Sequence, residues 1–288
     1  MPTQTYDDLR TVLVEKPEPR IGVLTFNRPE KRNSIAPEFS REMNIVLDRI
    51  LYDDEIRVLI VTGKGTAFCA GMDLKVFSEF RDNPSGYERP GEGAMDWFMK
   101  LRHFTKPTIA AINGHAYGGG FMTAALCDLS IAADSARVGL SEINWGGPPG
   151  GGATLAALDF LPLKHANYLL FTGEAIDGPE MKRIGWVNDS VPLDQLMERS
   201  LGIARQIAKH HPTALKWLKI QVLGSRDIPS YDVRAAFSHN ILAQMQVQDA
   251  YTGHHEGWKQ FADKTYKPGI ETLDYADDPS GRQATGLR

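Results

Sequence analysis

Apolar and polar residues alternate along this chain in rhythms that change with position. "IGVLTFNRP" (Ile21 to Pro29) is an apolar run closed by Asn-Arg-Pro, which predicts a strand ending in a turn. "APEFSREMNIVLDRILYDD" (Ala36 to Asp54) carries apolar residues at helical spacing, with Pro37 near its first turn, and predicts a helix. "RVLIVTG" (Arg57 to Gly63) is unbroken in its hydrophobicity, as in a strand buried on both faces. The sequence of elements then recurs. "PTIAAINGHAYGGG" (Pro107 to Gly120) predicts a strand running into glycines, "FMTAALC" a short apolar helix, and "DLSIAAD" (Asp128 to Asp134) another strand. Strand, turn and helix at short intervals indicate an α/β architecture.

Beyond Gly152 the rhythm is helical. "TLAALDFLP", "KHANYLLFTG", "DGPEMKRIGWVNDSVP", "DQLMERSLGIARQIAKHHP", "TALKWLKIQVLG" and a last segment to about Ala262 all read as helices, punctuated by Pro, Gly and His-Pro. The tail "DYADDPSGRQATGLR" is polar and reads as loose.

With 288 residues, the chain can form one large domain or a domain with an appendage. Apolar residues make up 42% and charged residues 24%, as in a globular protein that can bury a sizeable core. The net charge, 32 − 36 = −4, offers no general attraction to nucleic acid or an anionic membrane, so neither is expected as a partner. Basic residues cluster at "RPEKR" (Arg28 to Arg32) and "DKTYKP" (Asp263 to Pro268), which read as solvated faces or as contacts for a phosphorylated ligand. Cys69 and Cys127 sit far apart in apolar runs, without metal or disulfide spacing, and are expected as buried thiols. The start "MPTQTYDDLR" lacks an apolar leader, and no apolar run reaches membrane-spanning length. A cytoplasmic location is the resulting expectation.

Two stretches resemble each other. "VLIVTGKGTAFCAGMDL" and "TIAAINGHAYGGGFMTAA" each pass from a buried strand through small residues into a helix. Such turns can aim free backbone N–H groups at one oxygen, as in an oxyanion hole, although triple glycines also mark close helix–strand packing. Downstream, "VGLSEINWGGPPGGG" (Val138 to Gly152) holds one carboxylate, Glu142, between apolar residues on an irregular loop. Either Glu142 has a raised pKa suited to proton transfer, or it is a loop glutamate facing water.

"NRPEKRNS", "AFCAGMDL", "AINGHAYGGG", "GLSEINWGGPPGGG" and "LLFTGEAIDGPEMKRIGWVNDSVP", in this order, resemble the crotonase (enoyl-CoA hydratase/isomerase) superfamily over about residues 10 to 270. Within it, "GLSEINWG", "PPG" and "KQFADKTYKPG" are most similar to the hydroxycinnamoyl-CoA (feruloyl-CoA) hydratase-lyases. The resemblance implies a spiral of ββα turns forming two roughly perpendicular sheets over residues 1–200. It also implies a helical C-terminal region, residues 201–288, that builds homotrimers or dimers of trimers. The implied substrate is an acyl thioester of coenzyme A, with no tightly bound cofactor and no metal. The N–H groups of Met72 and Gly119 would form the oxyanion hole, and Glu142 would be the catalytic carboxylate. Lys31, Arg32 and Ser34, with Ala70, Asp73, Leu74 and Gly118, would line the coenzyme A and thioester site, and Lys267 would meet a phosphate.

The chain departs from the family in places. Met122 stands where ordinary hydratases carry a second glutamate; it argues against a plain hydratase or is a flexible core filler, and both readings leave the site with one carboxylate. Phe77 and His239 stand where the hydratase-lyases hold the substrate's phenolic oxygen with tyrosines. Phe77 has no hydroxyl. His239 is either a replacement hydrogen-bonding group or a packed helix-face histidine. Tyr117 and Trp145 are candidate walls of the acyl pocket. The expected function is therefore an acyl-CoA hydratase or hydratase-lyase. The alternatives are an isomerase or C–C hydrolase with the same oxyanion hole, or a non-catalytic binding protein.

Overall fold

The structure is a computed structural model that describes residues 5–76, 93–228, 230, 232–233 and 235–240. Phe77 and Lys267 lie outside the described residues. So does most of the helical segment expected up to about Ala262. The chain forms two compact units. One comprises the chain up to Phe104 and Thr108–Ala204, and the other comprises Thr105–Pro107 and the chain from Arg205 onward.

Among the described residues, ten strands of the first unit form two sheets. β1 (Val12–Glu18) and β2 (Arg20–Phe26) make an antiparallel hairpin closed through Arg20, whose φ of 69° is left-handed. β3 (Ile56–Gly63), β5 (Thr108–Ile112), β7 (Leu129–Ala133) and β10 (Asp189–Val191) extend β2 in parallel, giving the order β1-β2-β3-β5-β7-β10. The second sheet is built from β4 (Ala67–Cys69), β6 (His115–Tyr117), β8 (Arg137–Gly139) and β9 (Ile176–Asp177) in that order. The passes β3, β5 and β7 through the large sheet are thus each followed by a short strand, β4, β6 and β8, in the small one. This is the spiral of ββα turns expected of the fold.

The expected strand Pro107 to Gly120 is two strands, one in each sheet, broken at Asn113-Gly114. Asn113 anchors the break, its amide oxygen accepting from Gly63 N (3.1 Å) and its amide nitrogen donating to Gly65 O (3.0 Å). A second correction concerns Asp177 to Val191, read as wholly helical. Only Gly178–Arg183 is helix, and β10 then joins β7 in parallel. Asn188 sets that register by exchanging bonds with Ser130: Asn188 N donates to Ser130 O (2.8 Å), and Ser130 N to Asn188 Oδ1 (2.9 Å).

The helices α1 (Pro37–Leu51), α2 (Ala94–Arg102), α3 (Gly119–Leu126), α4 (Ala153–Phe160), α5 (Leu163–Thr172), α6 (Gly178–Arg183), α7 (Leu196–Ala208) and α8 (Pro212–Asp227) follow the strands. α1 buries Phe39, Met43, Val46, Leu47 and Ile50 at helical spacing. Its Phe39 meets Phe26 edge-on at 5.1 Å and Trp97 of α2 at 5.9 Å, and Phe26 also contacts Phe68, so aromatic rings join both sheets to two helices. Cys69 and Cys127 are buried, as expected, and burial pushes the Cys69 thiol up to about 12. Among the described residues, no helix is long and apolar enough to cross a membrane.

β10 is held from both sides. Lys182 Nζ and Arg199 Nε lie 2.8 Å from the two carboxylate oxygens of Asp189 and hold its pKa down at about 2. A depressed carboxylate contributes stability above its unfolded pKa, and that stability fades as pH falls through the folded value. Asp189→Asn should therefore lower the urea midpoint at neutral pH by the equivalent of about 1 kcal/mol. The deficit should shrink as pH falls from about 4 toward 2. A deficit that persists unchanged at the acid end would assign the loss to packing instead.

Candidate active site

Two β-to-α turns build the centre of the site. In the first, β4 ends at Cys69 and the chain runs through Ala70, Gly71, Met72 and Asp73 into a helical start at Leu74. Ile35 forms a parallel bridge with Met72. The bridging bonds use the residues on either side: Ile35 N donates to Gly71 O (2.8 Å), and Asp73 N donates to Ile35 O (2.9 Å). Peptide groups alternate in direction along extended chain, so the N–H of Met72 faces away from Ile35.

In the second turn, β6 ends at Tyr117 and α3 begins at Gly119. Gly118 has φ 49° and ψ −110°, a backbone region open to glycine. The N–H of Gly119 heads the helix and has no intrahelical acceptor. A methyl group on Gly71 would lie 2.8 Å from Tyr117 O and 3.5 Å from Gly119 N, so the turns meet backbone to backbone. Among the described residues, the N–H groups of Met72 and Gly119 have no hydrogen-bond partner.

β8 brings the carboxylate. It pairs with β6 through Ala116↔Val138 and Tyr117↔Gly139, and Gly118 N donates to Gly139 O at 3.3 Å. That register carries the next residues past Gly118 into a 3-10 turn, Glu142–Trp145, ended by left-handed Gly146. The Glu142 carboxylate turns back onto Gly118, where Oε1 would sit 2.7 Å from any Cβ. Oε2 is buried and has no partner among the described residues. Burial raises the pKa of Glu142, and a bond to its own backbone offsets part of that shift. This is the desolvated carboxylate, not a loop glutamate facing water.

The stretches expected to line a coenzyme A site are stitched together. Ala70 N donates to Arg32 O (3.0 Å), and Ser34 Oγ reaches Asp73 Oδ2 at 3.4 Å. Arg28 is no solvated face. Its guanidinium is only 11% exposed and lies 3.6 Å from both Asp73 and Glu38. Asp73 is thereby an internal counter-ion. Lys31, Arg32 and Leu74 are exposed, whereas Ser34 is buried. Arg32 and Asn33 take left-handed φ angles of 51° and 56°.

Asn33 escaped the sequence reading. It is fully buried, accepts from Arg28 N (2.9 Å), and donates to Lys64 O (3.0 Å) and Ala67 O (2.8 Å). Only its tolerance of left-handed backbone could have marked it. Met122 is buried, with Cε 3.1 Å from where a Cβ on Gly152 would stand. Trp145 is 69% exposed, and Tyr117 contributes its backbone carbonyl against Gly71. His239 is exposed on a helical segment of the second unit. No group of His, Cys, Asp and Glu among the described residues is arranged to hold a metal ion.

Chemically, the arrangement offers two free N–H donors for a developing oxyanion and one desolvated carboxylate for a proton. Comparison with known proteins agrees with that chemistry. A family model described as enoyl-CoA hydratase/isomerase matches residues 17–268. The hydroxycinnamoyl-CoA hydratase-lyase of Pseudomonas fluorescens is 39% identical over 268 residues, covering 91% of this chain and 96% of that protein. A short-chain-enoyl-CoA hydratase of Clostridium acetobutylicum is 36% identical, covering 74% and 80%. Among solved structures, an enoyl-CoA hydratase from Bacillus anthracis superposes with a TM-score of 0.80 at 28% identity, covering 88% of this chain and 97% of its own.

The half-buried carboxylate has a consequence for stability. Its folded pKa lies above its unfolded value, so its contribution is full below the unfolded pKa and is lost as pH rises through the folded one. Glu142→Gln should therefore raise the thermal midpoint at neutral pH, with the gain fading below about pH 4. A variant that melts lower than the parent at neutral pH would mean that the carboxylate is stabilised where it lies.

Proposed function

The chain belongs to the enoyl-CoA hydratase/isomerase family, and from that premise we propose that it adds water to an α,β-unsaturated acyl thioester of coenzyme A and then cleaves the adduct as a hydratase-lyase. One observation carries this reading. The Glu142 carboxylate sets Oε1 against the same glycine turn that presents a free N–H and keeps Oε2 buried without a partner among the described residues, beside a second free N–H at Met72.

In the proposed reaction, the thioester carbonyl oxygen accepts from the N–H groups of Met72 and Gly119. The Glu142 carboxylate takes a proton from water as the water oxygen bonds to the β-carbon. The π electrons of the double bond move toward the carbonyl, and the resulting enolate oxygen is held by the two donors. Glu142, now protonated, returns its proton to the α-carbon, which completes hydration. For cleavage, Glu142 accepts the proton of the β-hydroxyl, and the Cα–Cβ bond breaks. The oxygen keeps the electrons of its O–H bond as a carbonyl, and an aldehyde leaves. The electron pair of the broken carbon–carbon bond forms a second enolate, again on the two donors. Protonation at the α-carbon by Glu142 then yields acetyl-CoA.

A single carboxylate suffices because its steps are sequential. Met122, one helical turn beyond Gly118, cannot exchange protons, which supports a one-glutamate mechanism over one that divides the work between two acids. Identity to a hydroxycinnamoyl-CoA hydratase-lyase across nearly the whole chain supports an aryl-conjugated substrate. Self-association into trimers, singly or in pairs, belongs to the same proposal. It is supported by the exposed apolar residues Leu155, Leu158, Leu163 and Phe171 on α4 and α5.

Mass-spectrometric product analysis tests the reading with feruloyl-CoA, cinnamoyl-CoA and crotonyl-CoA offered separately. An aldehyde and acetyl-CoA from feruloyl-CoA are expected, with Glu142→Gln at least about 100-fold slower. The acid limb of kcat/KM should report a pKa above that of an ordinary glutamate. Full turnover by Glu142→Gln would remove the carboxylate from the mechanism, and hydrated products without aldehyde would restrict the activity to hydration.

A further inference from the structure

Two methionine side chains converge on the backbone that follows Glu142. Met122, in the first turn of α3, directs Cε at Gly152, where a Cβ would lie 3.1 Å away. Met95, in the first turn of α2, directs Sδ at Gly151, where a Cβ would lie 3.7 Å away. Met122 N donates to Gly118 O at 2.9 Å, which places Met122 one turn beyond the glycine that the Glu142 carboxylate touches. Helical side chains lean toward the helix N-terminus, so Met122 leans over that same turn. Met122 is buried, whereas Met95 is 43% exposed. One thioether is sealed against Gly152, and the other stands open to solvent beside Gly151 along the same loop.

We propose that Met122 and Met95 are the specificity-determining walls of the acyl subsite and select a flat, aryl-conjugated acyl group over a short aliphatic one. The inference rests on the reading of Glu142 as the proton-transfer group, because that role fixes the α- and β-carbons beside its carboxylate. The substituent on the β-carbon then passes the segment that both methionines flank. A thioether is unbranched and polarisable, adapts to the shape of a ring and makes favourable contacts at its edge. It offers no strong hydrogen bond, so the subsite selects by shape and polarisability.

Binding of cinnamoyl-CoA and crotonyl-CoA by calorimetry tests the assignment in the full chain, in a Glu142→Gln background where turnover does not consume the ligand. Cinnamoyl-CoA should bind more tightly. Met95→Ala changes an exposed side chain, and Met122→Leu keeps core volume while removing the sulfur, so both variants are expected to fold. Each should lower the cinnamoyl-to-crotonyl affinity ratio, by about tenfold for Met95→Ala and a few-fold for Met122→Leu, with crotonyl-CoA affinity little changed. An unchanged ratio in both variants, or a parent that binds crotonyl-CoA as tightly as cinnamoyl-CoA, would overturn the assignment. Unchanged ratios with Glu142→Gln inactive would sink the methionine walls alone. Full turnover in Glu142→Gln would sink the parent reading and this one with it.

Discussion

A methyl group placed on Gly120 would lie 2.0 Å from the carbonyl oxygen of Cys69, and one on Gly71 would lie 2.8 Å from that of Tyr117. The two β-to-α turns are therefore pressed together along bare backbone, with no volume for a side chain between them. This contact sets the spacing of everything else. β6 is fixed against β4, β8 against β6, and the turn bearing Glu142 follows β8. The donors at Met72 and Gly119 and the acid at Glu142 thus come from three separate chain segments whose separation is set by sheet geometry. Phe98 links this centre to the core, since its ring edge stands 3.5 Å from the Cβ position of Gly119 while the same ring packs on Trp97. A change in the aromatic cluster would be felt at the donors through close packing.

Glu142 illustrates a trade between stability and chemistry. A carboxylate that accepted several hydrogen bonds here would be comfortable as an anion and a poor base. Its Oε2 has none among the described residues, and its Oε1 lies against the glycine turn at Gly118. Desolvation alone raises its affinity for a proton, which brings the acid and base forms closer in energy. The two-way proton transfer proposed for Glu142 requires that balance. The cost falls on the folded state, and the apolar core of the first unit absorbs it.

Much of the large sheet was legible in the sequence because its strands are long enough to show a pattern. Ile56–Gly63 and Thr108–Ile112 announce themselves as unbroken apolar runs, and α1 by its spacing. The small sheet was not legible, because strands of two or three residues cannot display a period. Asp189–Val191 was hidden for a different reason. Its strand character comes from pairing with β7, and local composition does not record a partner about sixty residues away. Glu142 stood out as a lone carboxylate on an irregular loop, Met72 and Gly119 came through motif resemblance, and the structure adds what the sequence could not contain: which oxygen is buried and which N–H groups are free among the described residues. Met95 left no trace in the sequence, since its significance lies in reaching Gly151 from another helix.

Asp73 and Arg28 show how a charged motif can mislead. In the sequence both belong to stretches that read as ligand contacts. In the fold they largely satisfy each other, with Glu38 and the Ser34 hydroxyl completing the cluster. The pair lies between the loop from Arg28 to Ser34 and the loop from Ala70 to Leu74, and Asn33 fixes the first of these to Ala67 at the start of β4. Charges used in this way cannot also neutralise a phosphate, because their fields are already cancelled at close range. Under the proposed function, recognition along these loops would fall to their backbone groups and to the exposed side chains of Lys31 and Arg32. A long, mobile cation tolerates variation in where an anion sits, whereas fixed peptide groups do not. In that reading, position is set near the reacting carbons by rigid backbone, and farther out by flexible charge. A thioester would need placement to within a fraction of an ångström for proton transfer, and phosphates at the far end of such a ligand would not.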